Sequence, residues 1–263
     1  METIDIKDID FNELLKLSSQ GSTSTIYRND EFCFKILDGF YEEEKKVLYE
    51  KFLHMKDINI DGVLLPKCFI MDNGIMQGYI MSYFKNSVTL NGKYNDSFID
   101  LNVLAEEVIK ASKILRMLHE NGIICQDISF ENILVDDNED VAFCDLDGCC
   151  YDNYISPFVS KIFSNFMLKY RQIEVSASDI NENMDNLCFL LSLCYLLFHK
   201  ELSNIASMDY KILENSNTPF RGIVNYIKIL KNRDMDIPEI PYLDDLIYFE
   251  KEKNSNGRAL TLK

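Results

Sequence analysis

Ile123-Ile124-Cys125-Gln126-Asp127-Ile128-Ser129-Phe130-Glu131-Asn132-Ile133-Leu134-Val135 leads into a turn-rich Asp136-Asp137-Asn138-Glu139-Asp140. Val141-Ala142-Phe143-Cys144-Asp145-Leu146-Asp147-Gly148 follows. An apolar run thus ends in a carboxylate, Asp127. An amide, Asn132, opens a second β-rich run. The acidic turn returns the chain along Val141–Cys144 to another carboxylate, Asp145. A hairpin brings its two ends together, so Asn132 and Asp145 are expected side by side with Asp127 nearby. Two carboxylates and an amide oxygen converging at strand ends suit a hard divalent cation and a proton acceptor.

This pattern resembles the catalytic core of the protein-kinase-like superfamily, in its atypical, bacterial-type protein kinase form. The family signature is an Asp, four residues, an Asn, and a strand ending in the Asp of an Asp-Phe-Gly element. Here the first part is Asp127-Ile128-Ser129-Phe130-Glu131-Asn132 and the second is Asp145-Leu146-Asp147. The hairpin between them has the length the family uses.

Composition sets bounds on what such a chain does. It has 263 residues, of which 47% are hydrophobic, enough for a packed domain or two lobes sharing a cleft. The net charge of -16, from 43 acids against 27 Lys and Arg, argues against nucleic-acid or anionic-membrane partners. The 8 cysteines form no C-x-x-C pair and sit mainly in apolar runs, as small core residues in a reducing compartment do. With only 3 His, no zinc site is expected. Residues Met1–Asp8 lack a basic region followed by an apolar one, so a cytoplasmic setting is expected, with delivery to another cell left open. The longest apolar run, Leu187–Phe198, is far short of the ~20 residues that span a bilayer.

Along the chain, residues 1–16 read as a polar lead-in with a short helix or strand around Phe11–Leu17. Leu17–Tyr27 is a small-residue loop between apolar ends, a strand–loop–strand centred on Gly21. Phe32–Leu37 is a strand with Lys35 embedded in it, which is costly unless the ammonium is paired. Tyr41–Met55 is helical, with Val47, Leu48 and Phe52 on one stripe. Gly62–Cys68 and Phe69–Met71 read as short strands, Asn73-Gly74 as a hairpin turn, and Gly78–Phe84 as the next strand.

Leu101–Asn121 is a long amphipathic helix ending at Asn121-Gly122, with His119 structural in its last turn. Residues 149–180 are irregular, with a helical patch around Phe158–Tyr170. Asp185–Phe198 is apolar all round, hence buried. Helices around Pro219–Lys231 and Leu243–Lys253 and a loose tail, Asn254–Lys263, complete the chain.

The resemblance implies an α+β, bilobal protein-kinase-like fold. Residues 1–84 would form a β-rich N-lobe with one helix around 41–55, residues 85–98 a hinge and linker, and residues 99–263 a mainly helical, reduced C-lobe. It implies ATP and Mg²⁺ as cofactors. Gly21, Ile26, Cys33, Lys35, Met81, Tyr83 and Leu134 would line the nucleotide site, with Ser19 and Ser24 at the other glycine positions of the loop. Met81 would guard the back of the adenine pocket, and the Ser82–Phe84 backbone would bond the adenine edge. Lys35 would hold the α/β-phosphates, oriented by Glu44, with Glu42 and Glu43 as competing partners. Asn132 and Asp145 would hold the metal, and Asp127 would take the acceptor proton. Asp185 would brace the catalytic loop, or act simply as a first-turn acid.

The chain departs from the family at several positions. Cys125-Gln126 stands for the usual His-Arg before the Asp, so control by a phosphorylated activation loop is not expected. Ser129 replaces a Lys near the transferring phosphate. Leu146 and Asp147 replace Phe and Gly. Leu146 is expected to pack under the Glu44 helix, and Asp147 reads as a solvated turn residue or an extra acid beside the metal. No Ala-Pro-Glu element is present, with Glu174 its nearest stand-in.

The expected activity is phosphate transfer from ATP to a hydroxyl, by an atypical protein serine/threonine kinase acting on an unknown protein substrate. One alternative is a small-molecule kinase of the aminoglycoside or choline phosphotransferase type, which would need an acidic pocket for a cationic acceptor, to which acids such as Asp147 and Asp152 could contribute. The other is a pseudokinase that binds nucleotide as a scaffold.

Overall fold

The structure, a computed structural model, describes residues 1–17, 24–94, 99–155, 160–176, 179–199, 207–215, 217–249 and 261–262. It is an α+β chain with a β-rich N-terminal sheet followed by helices. The first third holds β1 (Glu2–Asp5), β2 (Leu15–Leu17), β3 (Thr25–Arg28), β4 (Phe32–Ile36), α1 (Glu42–His54), β5 (Cys68–Asp72) and β6 (Ile75–Ser82). Next come β7 (Val88–Thr89), α2 (Leu90–Tyr94), β8 (Ile99–Asp100), α3 (Leu101–Glu120) and β9 (Ile123–Ile124). The hairpin β10 (Ile133–Val135) and β11 (Val141–Phe143) precedes β12 (Cys150–Tyr151). Then follow α4 (Lys161–Ser164), α5 (Glu182–Phe198), α6 (Lys211–Asn215), α7 (Val224–Lys231) and α8 (Leu243–Leu246), and Thr261–Leu262 pairs with β8.

The N-terminal sheet has the order β1-β5-β6-β4-β3-β2, with β1 parallel to β5 and every other pair antiparallel. The lead-in therefore does more than the sequence suggests: Glu2–Asp5 adds an edge strand, and a helical turn at Phe11–Glu13 precedes β2. Asn73 and Gly74 both take positive φ, 49° and 81°, as a two-residue hairpin turn with the right strand twist requires. The Gly62–Cys68 segment forms no separate strand; Val63 makes one isolated bridge to Phe143.

Side chains opposite one another in this ladder share a face. Ile26 pairs with Lys35, and Lys35 with Tyr79; Arg28 pairs with Cys33, and Cys33 with Met81. Ile26, Cys33, Lys35, Tyr79 and Met81 therefore lie on one face, around the central strands. At Gly78 a side chain is excluded, because a Cβ there would stand 2.1 Å from the Lys35 carbonyl oxygen.

Helices α3 and α5 build the second half of the core. Leu104, Val108, Ala111, Leu115 and Leu118 are fully buried at helical spacing, and Asp100 caps α3 by accepting from the N–H groups of Asn102 and Val103 at 2.9 and 3.4 Å. α5 starts three residues earlier than its apolar run, at Glu182, where Asn181 accepts from Met184 N–H. On α1, Leu48 and Phe52 are buried as expected, but Val47 is exposed and Lys51 takes its place on the inner face. The expected helix at Phe158–Tyr170 is a short α4 running into a wider-wound segment, Asn165–Arg171. Pro219–Lys231 divides into a 3-10 turn and α7, and α8 is a single turn; residues 250–260 lie outside the described part of the chain.

Gly78→Ala is expected to cost about 2 kcal/mol or more, because β4 and β6 must separate to admit the methyl group. Chemical denaturation reads this as an earlier midpoint at unchanged slope.

Candidate active site

The hairpin places its ends as its register dictates. Ile133 pairs with Phe143, and Cys144 N–H donates to the Asn132 carbonyl at 3.0 Å, so Asp145 emerges beside Asn132. A second ladder, β9 with β12, ties the entry of the Asp127 loop to the exit of the Asp145 turn. Two antiparallel pairs thus hold both carboxylate loops from both sides. Neither β9 nor β12 exceeds two residues, too short for a period-2 pattern to be read from sequence.

Asp127 follows a tight turn in which its own N–H donates to Cys125 C=O at 2.7 Å across Gln126, which has φ 62°. Such a γ-turn is strained and needs outside support. Asp185 supplies it: its carboxylate accepts from Cys125 N–H at 2.6 Å and Gln126 N–H at 2.9 Å. His119 Nε2 stands 3.0 Å from the same carboxylate, and its Nδ1 stands 2.8 Å from the Tyr242 hydroxyl. The tautomer that satisfies both nitrogens donates from Nε2 to Asp185 and accepts at Nδ1 from Tyr242. Asp185 is therefore the brace of this loop, and His119 is structural through these two bonds.

Asn132 Nδ2 donates to the Asp127 carbonyl at 2.9 Å and to its Oδ2 at 3.3 Å, which leaves Oδ1 of Asn132 as the oxygen available to a cation. Burial raises the Asp127 pKa above the usual carboxylate value. The Asn132 hydrogen bond opposes that rise, Asp145 adds to it, and Lys161 opposes it in turn. Lys161, the first residue of α4, is thus a cation in the field of Asp127. Sequence reading missed it because it lies well outside the motif.

Lys35 reaches the same place from β4. Its Nζ lies 2.6 Å from Asp145 Oδ1 and 2.7 Å from Asp147 Oδ2, with 5% of the side chain exposed. Burial alone would lower its pKa, but the charges of Asp147 and then Asp145 outweigh it and leave the ammonium above its usual value. Asp145 adopts φ 60°, ψ 53°, a left-handed conformation that Asp tolerates better than most residues.

The expected partner of Lys35 is not the one found. Glu44 Oε2 accepts from Tyr41 N–H at 2.8 Å, capping its own helix. The first turn of α1 needs acceptors for its free N–H groups, and Tyr41 offers no carboxylate of its own. Glu42 and Glu43 are exposed. Asp147 is no solvated turn residue: its side chain is 9% exposed, and its Oδ1 accepts from the Tyr79 hydroxyl at 2.5 Å. Burial, reinforced by the Asp147 and Asp145 charges, holds the Tyr79 phenol well above its ordinary pKa, so it is a steady donor. From α1, buried Lys51 donates to the carbonyls of Asp147 at 2.6 Å and Cys149 at 2.9 Å.

The remaining expected nucleotide residues are placed as follows. Ile26, Cys33 and Met81 share the Lys35 face, and Leu134 is half-buried on β10 between Ala142 and Thr89. Tyr83 follows β6 with its N–H donating to Glu31 C=O at 2.8 Å and the Arg28 guanidinium over its ring, so its N–H is engaged within the sheet. Gly21 and Ser19 lie outside the described residues, and Ser24 at their edge is half-buried. Residues 85–94 contain β7, which pairs with β10, and α2. Leu146 is buried in the main core.

Compared with known protein families, the sequence matches no family model, and it matches no curated protein. Among the described residues, no helix is long and apolar enough to cross a membrane.

Asp185→Ala is expected to destabilise the chain by about 3 kcal/mol, since it strips acceptors from two buried N–H groups and a buried imidazole. Thermal unfolding measures the loss. Asp185→Asn keeps one acceptor oxygen and is expected to fall between the two.

Proposed function

We propose that this chain is an ATP-dependent phosphotransferase with a bilobal protein-kinase-like fold, acting as an atypical protein serine/threonine kinase. The observation that carries the reading is the contact of Lys35 with Asp145 at 2.6 Å, made at the end of the hairpin that also holds Asn132 against Asp127. Lys35, far off in sequence, thereby joins the Asp127–Asp145 stretch, and the four groups are of the chemical kinds that phosphoryl transfer uses.

The donor set fits Mg²⁺. Asp145 is half-exposed and Asn132 offers an amide oxygen, and magnesium in nucleotide sites takes one or two such ligands plus phosphate oxygens. Among the described residues no cluster of three or more His, Cys, Asp or Glu forms an all-protein cage. When bound, Mg²⁺ neutralises charge on the phosphate oxygens.

The residues of the chain then divide the work. Lys35 holds the α/β-phosphates of the nucleotide. Asp127, fixed by the Asn132 amide, orients the acceptor hydroxyl and accepts its proton, and a raised pKa makes it a better base. Positioning and electrostatics carry the rate.

An acceptor that is a small cationic metabolite would need acids lining its pocket. Asp147 is engaged by Lys35 and Tyr79, and Asp152 stands 3.6 Å from His54. Asp147, one of the acids that could serve that role, is therefore committed elsewhere, which favours a protein acceptor, whereas Asp152 is half-exposed.

Transfer from γ-labelled ATP with Mg²⁺ to a protein panel and a metabolite panel tests the reading. Label is expected on protein, with Asp127→Ala and Asp145→Ala each lowering the rate by about 100-fold or more and chelation of Mg²⁺ abolishing it. Label on metabolites alone would select the small-molecule kinase. Nucleotide binding without transfer would select the scaffold.

A further inference from the structure

We propose that Asp147 is the positioning residue for Lys35, and that the nucleotide-holding lysine is set by the loop after β11 without an acid from α1. The inference rests on the phosphotransferase reading of the same site.

Lys35 touches two carboxylates of unequal character. Asp145 is 49% exposed, whereas Asp147 is 9% exposed. The open carboxylate is free to turn toward a cation, and the enclosed one then remains with the ammonium. A buried ammonium with no carboxylate left would be strongly disfavoured, so the enclosed partner decides where Lys35 stays.

Asp147 is itself fixed at three points. Its Oδ1 accepts from the Tyr79 hydroxyl at 2.5 Å, and Tyr79 is the strand neighbour directly opposite Lys35. Its Oδ2 takes no hydrogen bond from another described group and faces the Lys35 ammonium at 2.7 Å. Its carbonyl accepts from Lys51 Nζ at 2.6 Å. The turn that carries it is closed by Cys149 N–H donating to Leu146 C=O at 3.1 Å. A carboxylate held this way has little rotamer freedom left to lose when nucleotide binds.

Glu44 is the rival. It lines a cavity behind Asp147 together with Leu48 and Lys51, but its carboxylate accepts the Tyr41 N–H. The contact from α1 to the loop is a cation on two carbonyls, Lys51, rather than an acid on Lys35. A shift of α1 would therefore take no acid from Lys35, and would reach the Lys35–Asp147 pair only through the Lys51 bonds to the loop carbonyls.

The test is steady-state transfer from Mg–ATP together with equilibrium binding of a fluorescent ATP analogue. It compares wild type, Lys35→Met, Asp147→Asn, Tyr79→Phe and Glu44→Gln, with thermal unfolding of each. Glu44→Gln keeps the helix cap and removes only the charge. Asp147→Asn is expected to weaken nucleotide binding by about tenfold or more, raising the ATP KM while the acceptor KM holds. Lys35→Met should lose at least as much, Tyr79→Phe should shift the ATP KM in the same direction by less, and Glu44→Gln should match wild type.

Unchanged nucleotide affinity in Asp147→Asn would overturn the inference, as would a Glu44→Gln loss equal to that of Lys35→Met. If Asp147→Asn does not fold, Tyr79→Phe decides by the same split of KM values: a rise in the ATP KM alone supports the inference, and no change overturns it. A wild type that binds no nucleotide, or a Lys35→Met that binds as wild type does, removes the phosphotransferase reading itself. That baseline separates the two failures.

Discussion

The ammonium of Lys35 is the constraint on which the rest depends. It sits in the middle strand region of a sheet, almost wholly out of water, where an unpaired charge is not tolerated. The carboxylates that balance it arrive from 110 and 112 positions further along the chain, at the end of a hairpin in the second half of the molecule. Sheet and hairpin are therefore joined by a charge requirement as well as by apolar burial. Tyr79 and Lys51 complete the junction from β6 and α1, so four elements meet at Asp147.

A second junction stands behind the first. Asp185, at the start of the most buried helix, holds the strained turn before Asp127 through two backbone N–H groups, and His119 and Tyr242 hold Asp185. Positive φ falls at Gln126 and Asp145, adjacent to or at the carboxylates assigned to chemistry. Strain of this kind, of order 1–3 kcal/mol per residue, persists only where surrounding bonds over-determine it. The β9–β12 pair and the Asp185 carboxylate do so here.

Much of this was legible in the sequence because it depends on local pattern. The hairpin, its turn, Asp145 emerging beside Asn132 and the amphipathic spacing of α3 all follow from period and turn chemistry. What escaped depends on tertiary pairing. Glu2–Asp5 carries no alternation of apolar and polar residues, so an edge strand there has no sequence signal. Lys51 lies among charged helix neighbours and looks like a solvated residue until its two carbonyl acceptors are seen. Asp147 and Glu44 were both available to Lys35. The demand of a helix N-terminus for an acceptor drew Glu44 away, and only three-dimensional placement reveals which need prevails.

The central claim is that Lys35 stands at the phosphates of a bound nucleotide. An ATP acyl phosphate that acylates the lysine nearest its phosphate chain tests this directly, with the modified residue located by peptide mass spectrometry. The account predicts acylation of Lys35, suppressed by excess Mg–ATP. Acylation of surface lysines alone, or labelling of Lys35 that excess Mg–ATP leaves unchanged, would contradict it.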